Sequence, residues 1–128
     1  MLKIIESMSK EPVRLRPAQN AKLKVGLVGQ IVEADGIPTC TVSDGSRPFG
    51  IISKIKGPYG MVSILLDTMI LQTDNYDKRA GKYVPGAPLY VSKKGKLTTK
   101  KIHDDSIMVG HVISGPDANQ RYIELNWI

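Results

Sequence analysis

The stretch Leu23-Lys24-Val25-Gly26-Leu27-Val28-Gly29-Gln30-Ile31-Val32, then Glu33-Ala34-Asp35-Gly36, then Ile37-Pro38-Thr39-Cys40-Thr41-Val42, decides the fold class. Two runs rich in β-formers flank Asp35-Gly36, a dipeptide that favours the left-handed backbone of a tight hairpin turn. The same grammar continues toward the C-terminus. Pro48 to Ile55 is a β-rich run closed by Gly57-Pro58. Leu89-Tyr90-Val91-Ser92 and Lys96-Leu97-Thr98-Thr99 flank a turn at Lys94-Gly95. Ile107 to Ser114 and Arg121 to Ile128 flank Gly115-Pro116-Asp117. Short strands spaced about ten residues apart, with Gly and Pro between them, predict an all-β chain, a small β-barrel or β-sandwich. Met61 to Thr73 is the ambiguous segment, because its apolar residues also fit helical spacing; two strands turning near Asp67-Thr68 fit the β neighbours better.

Working outward to the N-terminus, Met1 to Ala21 reads as an extended arm preceding a single domain over residues 22–128. Pro12 and Pro17 interrupt a helix, and Val13-Arg14-Leu15-Arg16 alternates apolar with basic at period two. A frayed terminus or an ordinary first strand would give the same text.

Phe49-Gly50-Ile51-Ile52-Ser53 echoes Val109-Gly110-His111-Val112-Ile113-Ser114, with the two glycines sixty positions apart. Two related glycine corners would suit a barrel built from two similar halves; chance among β-formers would also produce so short a match.

Composition narrows the function. The 128 residues make one domain's worth of chain, with 18 Lys+Arg against 12 Asp+Glu and a net charge of +6. An acidic partner surface suits that sign. The single cysteine, Cys40, excludes a disulfide framework within the chain. No run of about 18 apolar residues exists for a membrane helix, and Met1 to Lys10 does not read as a secretory signal. One Trp and one Phe are few for a platform that stacks single-stranded bases.

The catalytic and metal patterns are weak. His103-Asp104-Asp105 looks ligand-like, but neighbouring strand residues point to opposite faces, so a charged turn is the better reading. His111 lies in an apolar strand. Asp74-Asn75-Tyr76-Asp77 lacks the Gly and terminal Glu of a calcium loop. No Ser sits in a nucleophile elbow, and no phosphate loop is present. The expectation is a protein with no enzymatic activity, no cofactor and no metal. Lys93-Lys94-Gly95-Lys96 and Lys100-Lys101 could meet phosphates or serve as a solvated edge.

Several phrases carry a family likeness: Leu71-Gln72-Thr73-Asp74-Asn75-Tyr76-Asp77, Tyr83-Val84-Pro85-Gly86-Ala87-Pro88-Leu89-Tyr90-Val91-Ser92, Gly95-Lys96-Leu97-Thr98 and Val109-Gly110-His111-Val112-Ile113. In order and spacing they resemble the tailed-phage head decoration, or capsid cement, proteins, over roughly residues 22–128. Phe49-Gly50-Ile51 is similar to the earlier glycine-containing strand of that pattern. The resemblance implies a structural virion protein, made in the host cytoplasm, on the outer capsid surface. It would bind the major capsid protein, form a homotrimer and strengthen the expanded shell, with no membrane and no direct nucleic-acid contact. In this reading Val13 and Leu15 face the capsid, Arg14 and Arg16 pair with its acidic groups, and Trp127 either packs in the core or meets another subunit. The alternatives are a basic nucleic-acid-binding barrel, or another virion barrel such as a head-fibre base or tail component.

Overall fold

A computed structural model describes residues 1–7, 12–66, 68–79 and 81–128. Eleven strands carry the fold: β1 (Leu2–Ser7), β2 (Val13–Pro17), β3 (Val28–Ala34), β4 (Ile37–Val42), β5 (Gly50–Lys54), β6 (Val62–Leu65), β7 (Met69–Thr73), β8 (Pro88–Val91), β9 (Leu97–Thr98), β10 (Gly110–Ser114) and β11 (Ile123–Trp127). One 3-10 turn, Pro58–Gly60, joins β5 to β6, and the described residues form no α-helix. The chain is all-β, as its turn grammar predicts. Met61 to Thr73 resolves into β6 and β7; Asp67, the expected turn residue, lies outside the described residues. Asp35 and Gly36 both take positive φ, 54° and 74°, so the β3–β4 hairpin closes with the twist its strands require.

β2, β4, β3, β5 and β6 form a closed barrel in that order. Its one parallel contact joins β2 to β4, through Arg16–Thr39 and Pro17–Cys40. The other six strands form a sheet in the order β1-β7-β11-β10-β8-β9. Past the end of β7, Tyr76 bridges Leu97 of β9 in parallel, and the Asp77 amide donates to the Leu97 carbonyl at 2.8 Å. That bridge brings the two ends of the strand set β7-β11-β10-β8-β9 together.

The second set repeats the first. Antiparallel pairs β3–β4, β3–β5, β5–β6 and β2–β6 correspond to β8–β9, β8–β10, β10–β11 and β7–β11, and the parallel contact recurs as well. The backbone bonds coincide in detail. Phe49 N donates to Gly29 O at 2.8 Å, and Val109 N to Leu89 O at 2.8 Å. Ile52 N donates to Leu27 O and Val112 N to Ala87 O, both at 2.9 Å. Gly26 N reaches Ile52 O and Gly86 N reaches Val112 O, both at 2.8 Å. The glycine echo is therefore the visible trace of a duplicated five-stranded unit.

Gly50 and Gly110 open equivalent strands for a steric reason. A Cβ on Gly50 would stand 2.5 Å from the Leu65 carbonyl oxygen, and one on Gly110 would stand 1.9 Å from that of Asn126. The crossing backbones leave no room for any side chain. A bulge follows at the same place in each strand, at Ser53 and at Ile113.

Each unit has its own core, and the two touch. Leu15, Cys40, Ile52, Val62 and Ile64 fill the first barrel. Leu71, Leu89, Val91, Leu97, Val112, Ile123, Leu125 and Trp127 belong to the second core. Val28 and Ile51, cross-strand partners on β3 and β5, pack into that second core from the first barrel. The Asn75 side-chain amide reinforces the seam, donating to Gly26 O at 2.7 Å.

Within the expected arm, β1 (Leu2–Ser7) and β2 (Val13–Pro17) are both paired strands, and residues 8–11 lie outside the described residues. β1 pairs antiparallel with β7 at the end of the six-stranded sheet. β2 closes the first barrel between β4 and β6. The expected boundary at residue 21 falls inside the first unit, and the repeat divides the chain between β6 and β7 instead.

Candidate binding surface

The residues expected to meet a partner separate into two groups. Leu15 is 8% exposed and sits in the first core, with Val13 packed against the same cluster. Their alternation marks an inward strand face, which corrects the expectation that they face a capsid. Arg16 is also committed within the chain: its guanidinium donates to the Ala34 carbonyl at 2.8 Å and to Thr39 Oγ1 at 3.3 Å, fastening the far end of the β3–β4 hairpin to β2. Trp127 is 3% exposed and lies in the second core, so it serves packing and is closed to a subunit contact. Arg14 alone of the five points into solvent.

Arg14 belongs to a row that only strand pairing assembles. On β6, Ser63 stands opposite Arg14 of β2 on one side and Lys54 of β5 on the other. Directly opposed residues on one sheet face have Cβ atoms about 4.5–5.5 Å apart. Ser63 is 4% exposed between these two exposed cations. The bulge at Ser53 adds a second hydroxyl, which donates to the Ser63 carbonyl at 3.2 Å. Pro12, Arg14, Ser53, Lys54 and Ser63 together line a cleft of about 230 Å³. Neither cation makes an ion pair or hydrogen bond among the described residues, and the Ser63 hydroxyl has no partner among them. Sequence reading found Arg14 through its alternation but missed Lys54, Ser53 and Ser63, which carry no local signal.

The same row exists in the second unit with other side chains. Glu124 of β11 stands where Ser63 does, between Gln72 of β7 and Ser114 of β10. There the Gln72 amide donates to the Glu124 carboxylate at 3.0 Å.

A second cleft, of about 300 Å³, is lined by Gly45, Ser46, His103, Asp105 and Ser106. Hydrogen bonds from Ser46 hold the nearby Asp44 carboxyl below its usual range. No three His, Cys, Asp or Glu side chains converge on a metal position among the described residues. Cys40 is buried, and burial pushes its thiol up to about 11, away from the reactive thiolate. Tyr76 and Tyr83 meet edge to face at 4.8 Å behind the Tyr76–Leu97 bridge. Lys93, Lys94 and Lys96 are exposed on the β8–β9 hairpin, and Tyr59 is fully exposed at the β5–β6 tip. No helix among the described residues is long and apolar enough to cross a membrane.

No family model matches the chain, and no curated protein matches it either.

Proposed function

We propose that this chain is a structural protein of a phage head. In this reading it binds the outer surface of the capsid as a homotrimer and stabilises the expanded shell by bridging neighbouring major capsid subunits. The duplicated five-stranded unit carries the reading. A bridge between like subunits needs more than one contact face on a single body, and linked contacts raise effective concentration without a deep pocket. Two five-stranded units packed through Val28 and Ile51 supply such a body.

The family likeness adds support. Its phrases at Pro88-Leu89-Tyr90-Val91, Leu97-Thr98 and Gly110-His111-Val112 fold as β8, β9 and β10, which are neighbours in one sheet. Positive charge would speed docking on an acidic shell, with an effect that fades as salt rises. The test is co-sedimentation with expanded empty heads that lack the protein, beside duplex DNA. Saturable binding to heads supports the proposal. Binding to DNA alone would favour a nucleic-acid barrel and overturn it.

A further inference from the structure

We infer that the Arg14–Ser63–Lys54 row is a binding site for a carboxylate presented by an acidic protein segment. The inference deepens the capsid reading, on which it rests only for the identity of the protein that brings the carboxylate.

The two halves of the molecule carry opposite chemistry at this position. At one topological position the second unit holds its own carboxylate, Glu124, with the Gln72 amide bonded to it. The first unit has a hydroxyl in that place and replaces the flanking Gln72 and Ser114 with Arg14 and Lys54. The acid is missing from this row, while two cations and two serines remain around the gap. Ser63 is nearly buried, lines the cleft and has no hydroxyl partner among the described residues. No buried side-chain nitrogen or oxygen lacks a partner among the described residues, so this unpartnered hydroxyl opens onto the cleft, where it can donate to an incoming acceptor.

A carboxylate suits the donors. Arg offers a planar fork to its two oxygens, Lys adds a point charge, and a serine O–H supplies a third donor. The cleft volume of about 230 Å³ accommodates one acidic side chain end. A nucleic acid draws its affinity from a long run of phosphates, whereas this row is one isolated pair of cations. The exposed lysines of the β8–β9 hairpin belong to the other unit.

The experiment is a titration of the full chain with poly-L-glutamate, followed by backbone amide NMR shifts and repeated with duplex DNA at the same ionic strength. The expected shifts centre on Arg14, Ser53, Lys54 and Ser63. The exposed double variant Arg14→Gln/Lys54→Gln should weaken binding by about tenfold or more, as expected for loss of two charged donors. Ser63→Glu, which installs the second unit's own acid, should abolish it. Lys93→Gln/Lys94→Gln should leave it unchanged. Shifts centred elsewhere, equal weakening by the lysine-hairpin variant, or displacement of polyglutamate from the row by DNA would each overturn the site. Expanded heads separate this inference from the capsid proposal. If wild type and Arg14→Gln/Lys54→Gln sediment with heads equally, the site fails and the capsid reading stands. If neither sediments while polyglutamate binds the row, the capsid reading fails and the site stands.

Discussion

Gly50 and Gly110 hold the same place in two successive five-stranded units, each beginning a strand where a crossing carbonyl lies too close for a Cβ. Alanine at either position must push two paired strands apart. Gly110→Ala, with its Cβ 1.9 Å from Asn126 O, should cost about 3 kcal/mol, and Gly50→Ala about 2 kcal/mol. Urea midpoints at constant slope check both. Losses under about 0.5 kcal/mol would mean that these strands shift freely.

Deleting residues 1–7 and deleting residues 1–20 should have different outcomes. The first deletion removes only the end strand β1, and cooperative unfolding should persist. The second removes β2, opens the first barrel and strips Leu15 from its core, so cooperative unfolding of that unit should be lost. Leu15→Ala alone should cost about 2–5 kcal/mol, the range for a cavity in a packed core. Thermal melts followed by circular dichroism distinguish these outcomes, and a fully cooperative 1–20 deletion would restore the free-arm reading.

Arg16 should act as a local fastener of the β3–β4 hairpin. Its guanidinium holds Ala34 O and Thr39 Oγ1. Arg16→Ala should therefore lower stability by about 1–2 kcal/mol and speed amide hydrogen exchange between Gln30 and Ile37. Unchanged exchange there would show that the hairpin stands without it.

Alkaline pH should destabilise the fold. Burial raises the Cys40 thiol from 9.0 to about 11 and the Tyr83 phenol from 10.0 to about 12. In the folded state both groups keep their protons when the unfolded chain has already released them. The unfolded state then binds fewer protons, so stability falls with rising pH. The loss should begin near pH 9 through Cys40, continue from pH 10 through Tyr83 and end near pH 12. Denaturant midpoints across that window check the sign. Cys40 should also resist thiol reagents at pH 8 until the protein unfolds, since it is fully buried.

Local chemistry made the strands legible. Asp35-Gly36, Lys94-Gly95 and Gly115-Pro116 punctuate the chain, and strands form in the runs they flank, although the strand expected from Leu23 begins at Val28 and continues through Ala34. The duplication left few visible traces, the glycine pairs Gly50/Gly110 and Gly26/Gly86 among them, because many equivalent positions exchanged chemistry: Gly29 for Leu89, Arg14 for Gln72, Ser63 for Glu124. The β8–β9 hairpin also slips the spacing, since Tyr90 pairs with Thr98 where the equivalent Gln30 pairs with Thr41. The alternation Val13-Arg14-Leu15-Arg16 describes a barrel strand and a free extended segment equally well. What distinguishes them is pairing with β4 and β6, which is long-range and absent from the local text. Ser63 and Lys54 stayed hidden for the same reason: register, and no motif, brings them to Arg14.

The proposed role of the chain is to strengthen a phage shell. The most direct measurement is the temperature at which expanded empty heads lose integrity, with and without saturating full-length protein, followed by light scattering and electron microscopy. The account predicts a rise that saturates with added protein and diminishes with Arg14→Gln/Lys54→Gln. An unchanged disruption temperature at saturation would contradict it.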